Sequence, residues 1–280
     1  MEAWGARLLS VQVQYRQRDP LFPRPGPLPG SVWRLPGLYD PEPHGEEMFT
    51  RTITCQGTKT RNPDLRPEYS WNLDLGFRGD IRNRKGNYEL ALFYNILDGF
   101  IAMAPSGLPD VDFTFTNTNA TIMGGELSGN WRFDRIFAPS NALILGIGAS
   151  YVYGIDRSSG ENAPLFGIPP LEVKIEAQYR AIVNKRWVTG YFITTEADYA
   201  ATQKRVPTIP EGTDGGPWGY IPSNPHLVFN LSMGLNSNAL PGSPKIRLIV
   251  NNILNTDYQP YGSYIQAMGR NIKILLAFHF

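Results

Sequence analysis

Cysteine is almost absent from this 280-residue chain: Cys55 stands alone, so no internal disulfide can form and no thiolate cluster can hold a metal. Long apolar runs are missing as well. No window reaches the ~18 to 20 consecutive apolar residues of a membrane-crossing helix, which excludes a helical membrane protein. Neither sign of charge dominates, with 26 Lys and Arg against 25 Asp and Glu for a net charge of +1. A general basic surface for phosphate backbones is excluded, and no nucleic-acid partner is expected. The three histidines, His44, His226 and His279, are scattered over a loop and two strands, with no serine or carboxylate partner at a recognisable spacing. No enzyme chemistry, no metal site and no cofactor are expected. The amino-terminal MEAWGARLLSVQVQ carries Glu2, a brief apolar core and no small-residue cleavage site, which makes it a poor secretory signal.

What the chain has is alternation. From Tyr69 to Ile81 the odd positions are Tyr69, Trp71, Leu73, Leu75, Phe77, Gly79 and Ile81, and the even ones are polar or small. That is the two-residue period of a strand, held for about thirteen residues. It returns at Leu171, Val173, Ile175, Ala177 and Tyr179, against Glu172, Lys174, Glu176, Gln178 and Arg180, and again over 227–235, 246–250 and 272–280. Segments 86–103, 119–134, 141–155 and 186–199 alternate less cleanly but read as strands. About nine strands are expected after Tyr69, several of ten residues or more, where soluble domains average ~5 to 6. A strand needs ~9 to 11 residues to cross a bilayer at a tilt of about 45°.

The connections alternate in length. Short ones are expected at 82–86, 135–141, 183–185 and 237–244, and long ones at 104–118, 156–169, 200–224 and 255–269. Short turns on one side and long loops on the other are the pattern of an outer-membrane barrel, with the short side periplasmic. Trp71, Trp131, Tyr153, Trp187 and Tyr199 are candidates for the interfacial aromatic girdle. A soluble β-sandwich also alternates, but strand length and the regular spacing of the long loops favour the membrane. The fold class expected is all-β: an antiparallel transmembrane β-barrel, here a partial barrel or curved meander of about nine to ten long strands. Residues 19–45 carry eight prolines, which deny ladder donors. Residues 1–45 are therefore expected to be irregular, and 46–280 to be barrel.

Several stretches carry a family likeness. NPDLRPEYSWNLDLGFRGDI (62–81) resembles the NP-x-L-x-PE segment that precedes a barrel strand in TonB-dependent outer-membrane receptors. YELALFYNILDGFIAM (88–103) resembles the next strand, and TNTNATIMGGELSGNW (116–131) the stretch in which a small-residue turn leads to G-x-E. VNNILNTDYQPY (250–261) followed by GRNIKILLAFHF (269–280) resembles the carboxy-terminal signature, V-x-N-x-L-N-x-x-Y, then GR, then a last strand ending in phenylalanine. The likeness covers about residues 46–280.

The resemblance implies a receptor for ferric siderophores or similar scarce nutrients, located in the outer membrane of a Gram-negative cell if exported. Its partners would be outer-membrane lipid, the barrel-assembly machinery and the small ligand, with the TonB complex engaged only by an intact parent receptor. Ile272, Ile274, Leu276, Phe278 and Phe280 match the terminal signal for barrel assembly. Outer-loop ligand contacts would fall to Trp218, Tyr220, Tyr258, Tyr261 and Tyr264, whose aromatic faces suit flat chelates. His44 precedes the NP-x-L segment, as a histidine does in haem receptors, but LYDPEPHGEEMF lacks their neighbouring motif. Family barrels have about twenty-two strands. The expectation is thus a fragment without signal peptide, plug or TonB-contacting segment, the alternative being an autonomous small barrel that acts as a passive pore or adhesin.

Overall fold

The computed structural model describes residues 7–18, 62, 64–81, 85–108, 111–160, 163–183, 185, 187–209, 218–237 and 244–278. For 7–18, 106–108, 111–112 and Trp218 the description is of backbone alone. The proline-rich stretch 19–45, His44, Cys55, His279 and Phe280 lie outside the described residues.

Eleven strands follow one another: β1 (Arg7–Arg18), β2 (Glu68–Ile81), β3 (Gly86–Leu108), β4 (Val111–Asp134), β5 (Ala142–Asp156), β6 (Ala163–Pro164), β7 (Glu172–Ile182), β8 (Gly190–Ala200), β9 (His226–Asn236), β10 (Lys245–Asn251) and β11 (Asn271–Ala277). They make one antiparallel sheet in the order β1-β2-β3-β4-β5-β7-β8-β9-β10-β11, with the two-residue β6 paired to the outer end of β5. The nine strands expected after Tyr69 are present. Among the described residues the sheet is an arc, not a closed ring, because β1 and β11 each pair on one side only.

Two expectations change. Residues 7–18, read as part of an irregular segment, form β1, in register with β2 through Val11 opposite Leu75, Val13 opposite Leu73 and Tyr15 opposite Trp71. Leu9, Val11, Val13 and Tyr15 alternate with polar residues, a short run of the same period that the prolines beyond it overshadowed. Most of the supposed loop, 104–108 and 111–118, is the upper part of a tall hairpin, in which β3 has 23 residues and β4 has 24. Register shifts between Leu97 and Phe100 and between Pro105 and Leu108 put its alternation out of phase, and that hid the strand.

Register builds two unlike faces. Phe133, Leu143, Tyr179, Ile193, Met233, Leu248 and Ile274 stand opposite one another from β4 to β11. The neighbouring polar row is Arg78, Glu89, Ser128, Gly148, Lys174 and Asp198, from β2 to β8. On the apolar face large side chains stay exposed strand after strand, Trp71, Tyr94, Ile147, Ile175, Leu235 and Ile246 among them, up to Ile274 at 69%. Soluble monomers rarely expose apolar patches beyond a few hundred Å². Hydrocarbon is the solvent that suits this face, and a continuous ladder satisfies the backbone there.

Candidate functional site

The arc has two rims. One carries the short turns between β2 and β3, β4 and β5, β7 and β8, and β9 and β10. The other carries the long connections 157–171, 201–225 and 252–270 and the top of the β3–β4 hairpin. The second rim holds most of the side-chain hydrogen bonding that links distant parts of the chain, so the candidate site is built there.

The NP-x-L-x-PE stretch clasps the tall hairpin. Asn62 Oδ1 accepts from the Asp64 N–H at 2.9 Å, an Asx turn, while its Nδ2 donates to the Phe115 carbonyl at 3.0 Å. Asn117 answers from β4: its Oδ1 accepts from the Arg66 N–H at 2.7 Å and its Nδ2 donates to the carbonyls of Gly99 and Arg66. Glu68 is buried, and one of its carboxylate oxygens accepts from the Ile101 N–H at 3.4 Å. The motif's polar residues thus tie the entry to β2 onto the hairpin.

Beside the hairpin, connection 157–171 turns inward over the polar face. Leu165, 2% exposed, and Ile168 pack on Leu97 and Ala120, with Phe100, Ile122 and Val152 around them. Two side chains from 201–225 strap this segment down. Gln203 Nε2 donates to the Ile168 carbonyl at 2.7 Å, and Arg205 donates to the carbonyls of Gly154 and Ala163 with its guanidinium 4.0 Å above the Tyr153 ring. Tyr220 fills the remaining gap. Its ring lies 5.1 Å from that of Phe113 and 5.6 Å from that of Phe166, and its hydroxyl donates to the Met103 carbonyl at 2.8 Å. Burial, with the Asp156 charge nearby, pushes the Tyr220 phenol up to about 12, and burial alone does the same for Tyr261.

Connection 252–270 is set by the signature V-x-N-x-L-N. Asn252 and Asn255 both take left-handed backbone (φ 51° and 54°), a region asparagine tolerates better than most residues. The Asn252 side chain is 3% exposed; its Oδ1 accepts from the Thr256 N–H at 2.8 Å, and its Nδ2 donates to the carbonyls of Thr256 and Met268. Asn255 Oδ1 accepts from the Arg270 N–H at 2.8 Å, and Arg270 Nε donates to the Ile253 carbonyl at 2.8 Å. A Cβ at position 269 would come within 2.8 Å of that same Asn255 oxygen, which accounts for the glycine before Arg270.

The five aromatic residues singled out in the sequence are treated differently by these loops. Tyr220 is 4% exposed and committed to packing. The Tyr261 hydroxyl donates to the Gly219 carbonyl at 3.1 Å, and the Tyr258 ring stacks on His226 at 4.4 Å. Tyr264 is 50% exposed, and Trp218 lies in a 3₁₀ turn (Trp218–Tyr220). Tyr258 and Tyr261 share a hollow of about 250 Å³ with Pro222, Asn224, Asp257 and Gln266. Gln203, Arg205 and Asn230 were not anticipated; nothing in their local sequence sets them apart from other polar residues.

Below the loops the polar face forms a wider hollow of about 680 Å³, floored by Ala91, Gly148, Ser150 and Ala200 and edged by Glu89, Glu126, Glu172, Lys174, Asp198 and His226. Its side chains are acidic in balance. Lys174 Nζ sits 2.5 Å from Glu196 and 3.8 Å from Asp198. Among the described residues no group of three or more His, Cys, Asp or Glu side chains is placed to hold a metal ion.

Comparison with known proteins agrees with this architecture. A family described as "TonB dependent receptor-like, beta-barrel" matches residues 26–253. The heme/hemopexin utilization protein C of Haemophilus influenzae (strain 86-028NP) is 24% identical over 265 residues, which is 89% of this chain and 34% of that protein. Among solved structures, the copper transporter OprC superposes with a TM-score of 0.62 at 19% identity, covering 80% of this chain and 34% of its own. The FrpB iron transporter of Neisseria meningitidis (F3-3 variant) gives 0.54 at 14% identity, covering 78% and 32%. The chain therefore spans about a third of the length of the proteins it matches. Family and fold are those of receptors and transporters of the outer membrane rather than of enzymes. The chain belongs to the TonB-dependent receptor-like β-barrel family.

Proposed function

We propose that these strands form the carboxy-terminal part of an outer-membrane receptor that imports a ferric siderophore or a similar scarce chelate, driven through the TonB complex. The observation that carries this reading is the two-faced arc. Its apolar face suits lipid, its polar face carries a hollow, and its loop rim is packed onto the upper part of that polar face. Among the described residues, both end strands also pair on one side only. In hydrocarbon each unpaired backbone group costs several kcal/mol, which favours completion of such an arc by further strands of a larger ring. Residues 1–280 would then supply one portion of the wall, and uptake would belong to the whole receptor.

In this reading the ligand meets the loop rim. Tyr264, Tyr258 and Tyr261 offer aromatic surface, while Tyr220 holds the loops in place, and Trp218 is proposed as a fourth contact from its place in the 3₁₀ turn beside Tyr220. Ile272, Ile274, Leu276 and Phe278 lie exposed on the apolar side of β11 or just beyond it, as a terminal assembly signal would require; Phe280, outside the described residues, belongs to the alternation by sequence alone. The proteins similar to this chain include a heme utilization protein, a copper transporter and an iron transporter, so the cargo is assigned by class alone.

The test is deletion of the gene in its host, followed by uptake of radiolabelled iron from catecholate and hydroxamate siderophores and from haem, with and without a protonophore. Loss of one protonophore-sensitive uptake on deletion, restored by complementation, is the expected result. Unchanged uptake of every cargo, together with steady ion conductance of the purified protein in planar bilayers, would overturn it in favour of a passive pore.

A further inference from the structure

The wall and the loop rim meet in one continuous chain of hydrogen bonds. On the polar face, Lys174 of β7 bridges Glu196 at 2.5 Å and Asp198 at 3.8 Å on β8. From β9, Asn230 Nδ2 donates to both carboxylates, to Glu196 at 3.0 Å and Asp198 at 2.8 Å. The other end of the same amide, Oδ1, accepts from the Asn252 N–H at 2.9 Å. Two acceptors on one side and a donor on the other allow only one orientation of the Asn230 amide, so the carboxylates fix the oxygen that Asn252 uses. Asn252 is the left-handed pivot that closes connection 252–270 through Thr256 and Met268. The carboxyl-side limb of that connection reaches Tyr258 through the Ala267 N–H, which donates to the Tyr258 carbonyl at 2.9 Å.

We propose that Asn230 is a positioning residue that couples the charge state of the polar wall to the order of connection 252–270. When Lys174 balances the two carboxylates, they hold the amide with its oxygen toward Asn252 and the loop is latched. When that cation is drawn away or removed by mutation, the two carboxylates repel one another and can no longer both sit within reach of the one Asn230 NH₂, so the amide loses its fixed orientation and the latch loosens. A charged group in the hollow is thereby reported at the aromatic hollow around Tyr258 and Tyr261. The proposal goes beyond the transport reading and needs no cargo to test.

Hydrogen exchange by mass spectrometry on the full chain, in detergent micelles or outer-membrane vesicles, reads the loop directly. Asn230→Leu, which removes both ends of the link, is expected to raise exchange of the Asn252, Thr256 and Ala267 amides on the order of tenfold. Lys174→Met, which alters only the wall, is expected to raise the same amides about threefold while the amides of β8 and β9 keep their protection. Lys174→Arg keeps the charge and should leave the loop as it is. If Lys174→Met leaves the loop amides unchanged, or loosens β8 and β9 as much as the loop, Asn230 is a local anchor and the coupling is wrong. Should Asn230→Leu fail to insert, Lys174→Met and Lys174→Arg still decide the matter, and neither result bears on which cargo is imported.

Discussion

The two rims of the sheet follow opposite rules. At the short-turn rim, 135–141 reverses the chain with two non-glycine residues in left-handed backbone, Arg135 (φ 62°) and Phe137 (φ 65°), and Phe137 is 93% exposed. At the loop rim the connections are at least twice as long as that turn, yet Leu165, Gln203, Tyr220 and Asn252 are buried. Long loops are usually the mobile part of a fold. Here they hold the apolar core, because the wall has lipid-suited side chains on one face and a hollow on the other, and neither offers a protein partner to bury. The cluster of Leu97, Ala120, Leu165 and Ile168 is a small globular layer set on the end of a membrane-type wall.

That contrast can be broken at several points. The largest effect is expected in the wall. Ile175→Arg puts a cation on the lipid face and should destabilise the inserted protein by about 3 kcal/mol, measured by denaturant unfolding from lipid vesicles. If the wall instead faced water, unfolding would scarcely move. Next comes Leu165→Ala, which opens a cavity in the loop layer for about 2 to 3 kcal/mol. Its signature should be local: faster proteolysis within 157–171, with the unfolding midpoint of the strands nearly unchanged. A wall that melts together with the loops would show that the two regions are one cooperative unit.

Smaller again is Tyr220→Phe, which leaves the Met103 carbonyl without its donor and should cost the loop layer about 1 kcal/mol, visible as raised exchange of its amides. The same phenol gives a pH test. Its pKa is raised to about 12 in the fold, from an ordinary value near 10, so its contribution is complete below pH 10 and is lost as pH rises from 10 through 12. Tyr261 follows the same sign. Loop proteolysis should accelerate across that window in the parent protein and less so in Tyr220→Phe. The smallest effect is expected at the other rim. Phe137→Asn relieves an aromatic from left-handed backbone but gives up its edge-on contact with Tyr179, 6.0 Å between centroids, and should change stability by under about 0.5 kcal/mol.

The wall was legible in the sequence because lipid and lumen impose opposite demands on alternate residues, and that demand is written as a two-residue period. Tyr69 to Ile81 and Leu171 to Arg180 follow it closely. Above the membrane the demand lapses. Residues 104–118 lie beyond the alternating stretch, with Thr, Asn and Pro among the apolar positions, one register shift below them between Leu97 and Phe100 and one between Pro105 and Leu108, and so read as a loop although 104–108 and 111–118 are strand. The site was half legible. Asn62, Glu68, Asn252, Asn255 and Arg270 stood within recognisable motifs, though their roles as clasps did not. Gln203, Arg205 and Asn230 have no period and no motif, since each acts across 20 or more residues of sequence on a carbonyl, a ring or a carboxylate brought near only by folding.

The β3–β4 hairpin has a further consequence. At about 3.3 Å per residue a strand of 23 residues is about 75 Å long, and a bilayer takes up only ~9 to 11 of those residues. With its short-turn end at one interface, more than half of the hairpin stands clear of the other as a mast, stiffened at mid-height by the clasp of Asn62, Arg66 and Asn117. Such a mast gives the loops a fixed wall to fold against: Tyr220 bonds Met103 and packs on Phe113, and Leu165 and Ile168 pack on Leu97 and Ala120, so the height of the rim is set by the length of one hairpin.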